Sequence, residues 1–211
     1  MAYTDIYRRL MAEIPELDIF QAEALLKRAW GRIREAKDYW SFDCRETFLQ
    51  IPPAITAGTA TATLASASVT VSAAAKTAID AVASVVDRFF RLTGGPWYKI
   101  TTWTTGTSTL TLERAYFQDS AIASTYQILA PLVEAPAGFR GWVSVADPIE
   151  GFPLALDLAR AVVDQADPER TDGTSPYALV PHDYSLTSGR PRYVLYPFPT
   201  ERREYPAVYR G

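Results

Sequence analysis

The first forty residues carry apolar and charged positions with the period of an α-helix. Apolar residues recur every three or four positions in residues 4–14, up to Pro15, which cannot continue a helix. Asp18 and Gln21 then have the spacing of a capping box at the start of a longer helix. We predict a helical hairpin over residues 1–40. The apolar stripe of its longer helix has almost heptad spacing and consists of Ile19, Ala22, Leu26, Ala29, Trp30, Ile33 and Trp40. The hairpin alone would leave this stripe exposed, so it needs a partner surface.

Over residues 41–150 the period shortens to two, which is typical of β-strands. Small, hydroxyl-bearing and β-branched residues alternate in TAGTATATLASASVTVS, which predicts a hairpin of two short strands. Further strands are predicted in FFRL, WYKITTW, STLTLERAYF and TYQIL, with turns at Gly94–Gly95 and Gly106 and a connection at QDSAIAS. LVEAP and FRGWVSVADP predict another strand pair around residues 136–138. The short connections favour antiparallel pairing of about six to eight strands into a small barrel or sandwich.

Residues 73–88 are ambiguous. Their alanine density and the spacing of Ile79, Val82, Val85 and Val86 favour a helix. A strand that begins near Val85 is the alternative.

The last sixty residues or so change character twice. Pro153 opens a predicted helix within residues 151–172, which Pro168 ends and whose inner stripe is Leu154, Leu158, Ala161, Val162 and Gln165. In residues 173–211 prolines interrupt short aromatic strands, a pattern typical of edge strands or of an extended arm. The predicted fold class is therefore α+β, with a helical hairpin, an inserted antiparallel β-domain, a returning helix and an extended C-terminal arm.

Composition narrows the functional classes. An apolar share of 48 % and a charged share of 21 % are ordinary for a globular protein. The net charge of −3 argues against a dedicated nucleic-acid binder, although DNA can slide past a surface poor in phosphate-binding cations. Cys44 is the only cysteine, so no intrachain disulfide can form. Since the sequence has neither a membrane-spanning apolar run nor a signal-peptide core, we expect synthesis in the cytoplasm and no membrane partner.

Candidate chemistry is sparse. His182 is the only histidine, and its neighbours Asp183 and Ser185 lie on an extended segment that suits a catalytic triad poorly. The Gly94–Gly95 pair lies between two strands rather than between a strand and a helix, which disfavours a phosphate loop. The densest acidic group lacks the spacing of a calcium loop and consists of Asp164, Asp167, Glu169 and Asp172. We therefore predict no catalytic, cofactor or metal site.

Two other interpretations stay open. An aromatic platform for sugar binding could be formed by Trp97, Tyr98, Trp103, Tyr116 and Tyr126, although core packing is the commoner use of such residues. A carboxylate-based hydrolase would need two converging acids from the scattered set Glu113, Asp119, Glu134 and Asp147.

Six segments carry a resemblance to a known group of proteins. They are WSFDCRETFLQIPP, TAGTATATLASASVTVS, FFRLTGGPWYKITTW, TLTLERAYFQDSAIASTYQIL, DQADPERTDGTSPYALVPHD and YVLYPFPTERREYPAVYR. In this order, after a helical hairpin, they resemble the head-to-tail adaptors, or connectors, of tailed bacteriophages and related prophages. The alanine-rich residues 73–88 depart from that group, in which a short glycine-rich turn is typical.

The resemblance implies a structural virion protein rather than an enzyme. It implies a dodecameric ring below the portal, which lines the DNA channel and connects the filled head to the tail, and which assembles in the host cytoplasm. The implied partners are other copies of this chain, the portal protein, the next neck or tail protein and the double-stranded DNA that passes through. The expected interface residues are Trp30, Trp40, Tyr193, Tyr196, Phe198, Tyr205 and Tyr209. The alternative is a tail or baseplate component with a carbohydrate-binding β-domain.

Overall fold

A computed structural model describes residues 12–14, 18–35, 43–156, 158–166, 172–173 and 175–211. The chain divides into two compact units, Met1–Arg45 with Arg210 and Glu46–Tyr209 with Gly211. None of the described helices is long and apolar enough to cross a membrane.

In the first unit the described helix α1 spans Ile19–Glu35. It begins as the sequence predicts: the Gln21 amide donates to Asp18 Oδ1 at 2.7 Å, and the Asp18 amide donates to Gln21 Oε1 at 3.3 Å. Several large apolar side chains of α1 are exposed, namely Ile19, Phe20, Leu25 and Trp30. The helix predicted over residues 4–14 falls almost wholly outside the described residues, so the hairpin stays a prediction.

The first part of the second unit is an antiparallel sheet that curls into a half-barrel. Its strands are β2 (Ala60–Ala62), β3 (Ser68–Val71), β4 (Phe89–Leu92), β5 (Tyr98–Thr104), β6 (Thr109–Leu112), β7 (Ala121–Ser124) and β8 (Tyr126–Leu129). They lie in the order β7-β2-β3-β6-β5-β4-β8. A bridge between Ile55 and Ile128 joins the last strand to the chain that leads into β2.

Residue alternation explains the half-barrel. Val69 and Val71 on β3 and Leu110 and Leu112 on β6 point into the core, whereas the threonines between them point outward. The predicted β2–β3 and β4–β5 hairpins are confirmed, and Gly94 supplies the positive φ of +77° that the second turn needs.

Residues 73–88 are resolved as a helix followed by a turn. Helix α2 spans Ala73–Asp80, and its Ala75 and Ile79 side chains are buried in the half-barrel core. Residues 81–88 are not helical, and the next strand begins at Phe89 rather than near Val85.

The rest of the second unit is a small sandwich of two three-stranded sheets, in which residues 44–51, 203–210 and 141–145 form one sheet and residues 178–184, 191–196 and 132–134 form the other, each in that spatial order. Leu49, Leu179, Leu195 and Tyr205 are among the side chains packed between the sheets. The strands are β1 (Cys44–Ile51), β9 (Leu132–Glu134), β10 (Gly141–Val145), β12 (Ala178–Tyr184), β13 (Pro191–Tyr196) and β15 (Arg203–Arg210), with a short parallel pair of β11 (Asp172–Gly173) and β14 (Phe198–Pro199). Because β2–β8 lie between β1 and β9 along the chain, the half-barrel is an insertion into the sandwich.

The prediction of an extended C-terminal arm is not confirmed. Strands β13 and β15 come from residues 173–211, and each is the middle strand of its sheet. The sheet of β12 and β13 is covered on both faces: Leu179 and Leu195 face the sandwich core, whereas Val180 and Val194 face a second core shared with the half-barrel. A strand covered on both faces has a continuous apolar run and no alternation, so ALV and VLY are core strands despite the nearby prolines.

Two predictions about the strands also need correction. The connection QDSAIAS contains strand β7. The strands predicted in LVEAP and FRGWVSVADP exist, but they pair with β13 and β15 rather than with each other.

The returning helix α3 spans Arg160–Ala166 rather than beginning at Pro153, because Pro153 forms a bridge with Ala146 and Ala155 forms a bridge with Ala178 instead of a first helical turn. The buried face of α3 also differs from the predicted one, since Val163 is buried whereas Val162, which the sequence predicts to face inward, is exposed.

Candidate functional site

Most of the expected interface residues lie in the interior of the chain. Strand β15 alternates regularly, so Tyr205 and Tyr209 point inward together with Arg203. Tyr196 and Phe198 are buried in the core shared with the half-barrel, and Tyr193 is half-buried against the sandwich core. These side chains hold the fold together rather than face a partner. Trp30 is exposed on α1, and Trp40 lies outside the described residues.

The aromatic residues considered for a sugar platform are also core residues. Trp97, Tyr98, Tyr116 and Tyr126 are buried. Trp103 is half-buried, and its indole Nε1 donates to Asp80 Oδ1 at 2.9 Å. These five residues do not form a flat exposed surface.

Charged residues from both parts of the second unit meet at the junction. Arg192 on β13 donates to Asp183 from Nε at 2.6 Å and from Nη2 at 2.5 Å, and its Nη1 donates to Asp87 at 2.8 Å. Lys99 on β5 lies 2.9 Å from Asp87. We call these four residues the junction network, since Asp87 and Lys99 belong to the half-barrel and Asp183 and Arg192 to the sandwich.

The junction network shifts the protonation of its members. Burial favours the neutral carboxyls, but hydrogen bonds from Lys99 and Arg192 outweigh it and lower the pKa of Asp87. The pKa of Asp183 is lowered in the same way, burial being outweighed mainly by the hydrogen bond from Arg192. The pKa of Arg192 is raised, first by its hydrogen bond with Asp183. Asp87, Asp183 and Arg192 therefore stay charged at neutral pH, and their contacts with one another and with Lys99 tie the two parts together.

His182 is an extension of this network and not part of a triad. Its Nδ1 lies 3.2 Å from Arg160 Nη1, and its Nε2 lies 3.8 Å from Asp183. The Ser185 hydroxyl accepts the Ser188 amide at 3.3 Å instead of meeting the imidazole. An arginine beside Nδ1 is the opposite of the carboxylate that orients a catalytic histidine.

Two of the four scattered acids pair with separate arginines: Asp147 lies 3.1 Å from Arg203, and Glu134 lies 2.5 Å from Arg190. Asp172, from the dense acidic group, lies 2.5 Å from Arg91. Within the described ranges no group of three metal-binding side chains occurs. The side chains of Asp164, Asp167 and Glu169 lie outside the described part of the chain.

Large apolar side chains are exposed at both ends of the sandwich. At one end of β12, the last strand residue, Tyr184, is 69 % exposed, and Leu186 in the following turn is fully exposed. At the other end, Ala178 bridges Ala155, and the preceding loop presents Ile149 and Phe152, 65 % and 58 % exposed. Strand β12 has seven residues and spans about 20 Å, so the two apolar ends are well separated.

Sequence reasoning missed these two ends. Their only signal is an apolar residue within an otherwise polar turn, as in SLTSG for Leu186 and DPIEGFP for Ile149 and Phe152. Exposed apolar side chains mark an interaction surface when they form a contiguous patch.

Searches against protein-family models, curated proteins and solved structures found no match for this chain.

Proposed function

We propose that this protein is a structural subunit of the neck of a tailed bacteriophage, stacked between the portal and the next neck or tail protein. The observation that carries the proposal is the pair of apolar ends on one small sandwich. A subunit that connects two different neighbours needs two separate contact surfaces, and apolar side chains at turn tips are suited to insertion into pockets on those neighbours.

The order of elements supports the same proposal. A helix with exposed Phe20, Leu25 and Trp30 precedes a β-unit, which is the order of helix and β-domain expected for the adaptors that the sequence resembles. In a closed ring each subunit presents one surface to the neighbour on one side and a different surface to the neighbour on the other. The ring, its dodecameric state and the passage of DNA through its channel belong to this proposal.

Cryo-electron microscopy of the virions that carry this chain tests the proposal directly. We expect density for this chain as a ring directly below the portal, and mass measurement of the isolated neck is expected to give a dodecamer. Density for the chain in the tail or baseplate would favour the alternative, and its absence from the particle would refute both.

A paired substitution tests the role of the apolar ends. We expect Leu186→Asp to lower incorporation into particles at least tenfold, because an apolar contact is replaced by a charge. Thr187→Asp is the matched control, since it adds the same charge to the same turn without removing an apolar side chain. Equal incorporation of both variants would contradict a contact at this end.

A further inference from the structure

A polar cleft opens on the half-barrel, and of the aromatic residues considered above only Tyr116 contributes to its lining. Its volume is about 390 Å³, within the range of about 300–1,000 Å³ that is usual for small-ligand sites. One wall is the β4–β5 turn, and the opposite wall is the chain from Tyr116 to Thr125. The lining consists of Leu92, Thr93, Gly94, Gly95, Tyr116, Gln118, Ala121, Ser124 and Thr125.

The lining is neutral and rich in hydrogen-bonding groups. It offers hydroxyls, one carboxamide and the backbone of two glycines, together with a smaller apolar share, and none of its side chains carries a charge at neutral pH. A charged ligand would lose its hydration without gaining a counter-charge there. A neutral molecule with many hydroxyls would find both donors and acceptors.

Hydrogen bonds fix both walls. The Thr93 amide donates to the Thr125 carbonyl at 3.1 Å, and the two threonine hydroxyls lie 2.7 Å apart. The Tyr116 hydroxyl donates to Gln118 Oε1 at 3.2 Å. With its oxygen occupied, the Gln118 carboxamide presents its NH₂ group as a donor, while a threonine hydroxyl keeps lone pairs that can accept.

Gly95 keeps this arrangement possible. A Cβ at this position would lie 2.6 Å from Gln118 Oε1 and 3.2 Å from the Leu92 carbonyl oxygen. A side chain there would displace Gln118 and narrow the cleft.

From these contacts we infer that the cleft binds a neutral sugar residue, with Gln118 as a donor and Thr125 as an acceptor to its hydroxyls. The inference does not depend on the neck assignment, because the cleft belongs to the half-barrel and not to the apolar ends. The sugar can come from free saccharide or from a glycan on a cell surface, and the two sources share this chemistry.

Saturation-transfer NMR on the full chain tests the inference with glucose, galactose and N-acetylglucosamine as probes. Glucuronate and glucosamine serve as charged controls. We expect transfer to at least one neutral sugar and binding at least tenfold weaker for both charged ones. A glycan array then distinguishes the sources: binding to free sugar alone indicates a saccharide site, and stronger binding to displayed glycans indicates a surface receptor.

Variants locate the binding. Gln118→Ala and Gly95→Ala are each expected to weaken the affinity at least tenfold, whereas Gly106→Ala, with open space around the added Cβ, is expected to leave it unchanged. Thr125→Val, which removes a hydroxyl at constant shape, provides a further test if Gly95→Ala fails to fold. No transfer at millimolar neutral sugar, equal transfer to charged sugars, or full binding by Gln118→Ala would overturn the inference.

Discussion

At the scale of single residues, the buried pair of Asp147 and Arg203 is the least expected feature. The Arg203 side chain points to the same inner face of β15 as Tyr205 and Tyr209, and only 8 % of the residue is exposed. Asp147 neutralises it at 3.1 Å and also accepts the amides of Ile149 and Glu150. The pair therefore anchors the loop that carries one apolar end to the central strand of the sheet.

Arg203→Met tests this anchor. The substitution leaves Asp147 buried without its partner, so we expect the free energy of unfolding to fall by about 3–5 kcal/mol. Urea denaturation followed by circular dichroism measures the change. Arg202→Met is the matched control, because Arg202 is exposed and directly precedes β15. This substitution is expected to change the free energy of unfolding by less than about 0.5 kcal/mol. Similar midpoints for the two variants would contradict a buried anchor.

The junction network predicts a dependence of stability on acid. Since the pKa values of Asp87 and Asp183 are lowered in the folded state, their stabilising contribution is complete above the unfolded pKa of about 4. It is lost as the pH falls through the lower folded values. We expect Asp183→Asn to lower Tm at pH 7 and to flatten the fall of Tm below about pH 5, as measured by calorimetry. Asp119→Asn on the exposed surface is the control, and an identical pH profile for wild type and Asp183→Asn would contradict the prediction.

At the scale of elements, local pattern was a good guide where the partners of a strand are its neighbours in sequence. The hairpins β2–β3 and β4–β5 were predicted because their turns and their alternation lie within one short segment. The sequence of helix α2 is ambiguous, although its N-terminus has a local signal: the Ser72 hydroxyl accepts the amides of Ala75 and of Thr59, at 3.4 and 3.0 Å. Ser72 thus caps the helix and joins it to the chain before β2.

Ser72→Ala is expected to lower the free energy of unfolding by about 1–2 kcal/mol, because the cap and the amide of Thr59 both lose their acceptor. Thermal denaturation measures the loss. Ser68→Ala, at an exposed position on β3, is the control and is expected to have little effect. Equal stability of the two variants would show that the cap contributes nothing.

At the scale of the whole molecule, the C-terminal segment supplies a central strand of the sandwich. Strand β15 lies between β1 and β10, and its Tyr205 and Ala207 side chains belong to the core between the sheets. The sequence-based expectation of an arm and the observed central strand therefore predict opposite results on truncation.

Removal of residues 203–211 is expected to abolish cooperative unfolding of the sandwich, because β1 and β10 lose their common partner. Limited proteolysis and thermal denaturation measure this, and removal of Gly211 alone is the control. A truncated chain that keeps the wild-type Tm would restore the interpretation of an arm.

The sequence by itself determined most strands of the half-barrel, its β2–β3 and β4–β5 hairpins, the start of α1 and the scarcity of catalytic groups. These depend on residue period, turn residues and composition, which are local properties. Only the tertiary structure decided that β13 pairs with β9, that β15 joins β1 and β10, and that Tyr196, Phe198 and Tyr205 are buried. Pairing between distant segments depends on which surfaces cover each other, and a strand covered on both faces loses the alternation by which a sequence reveals it.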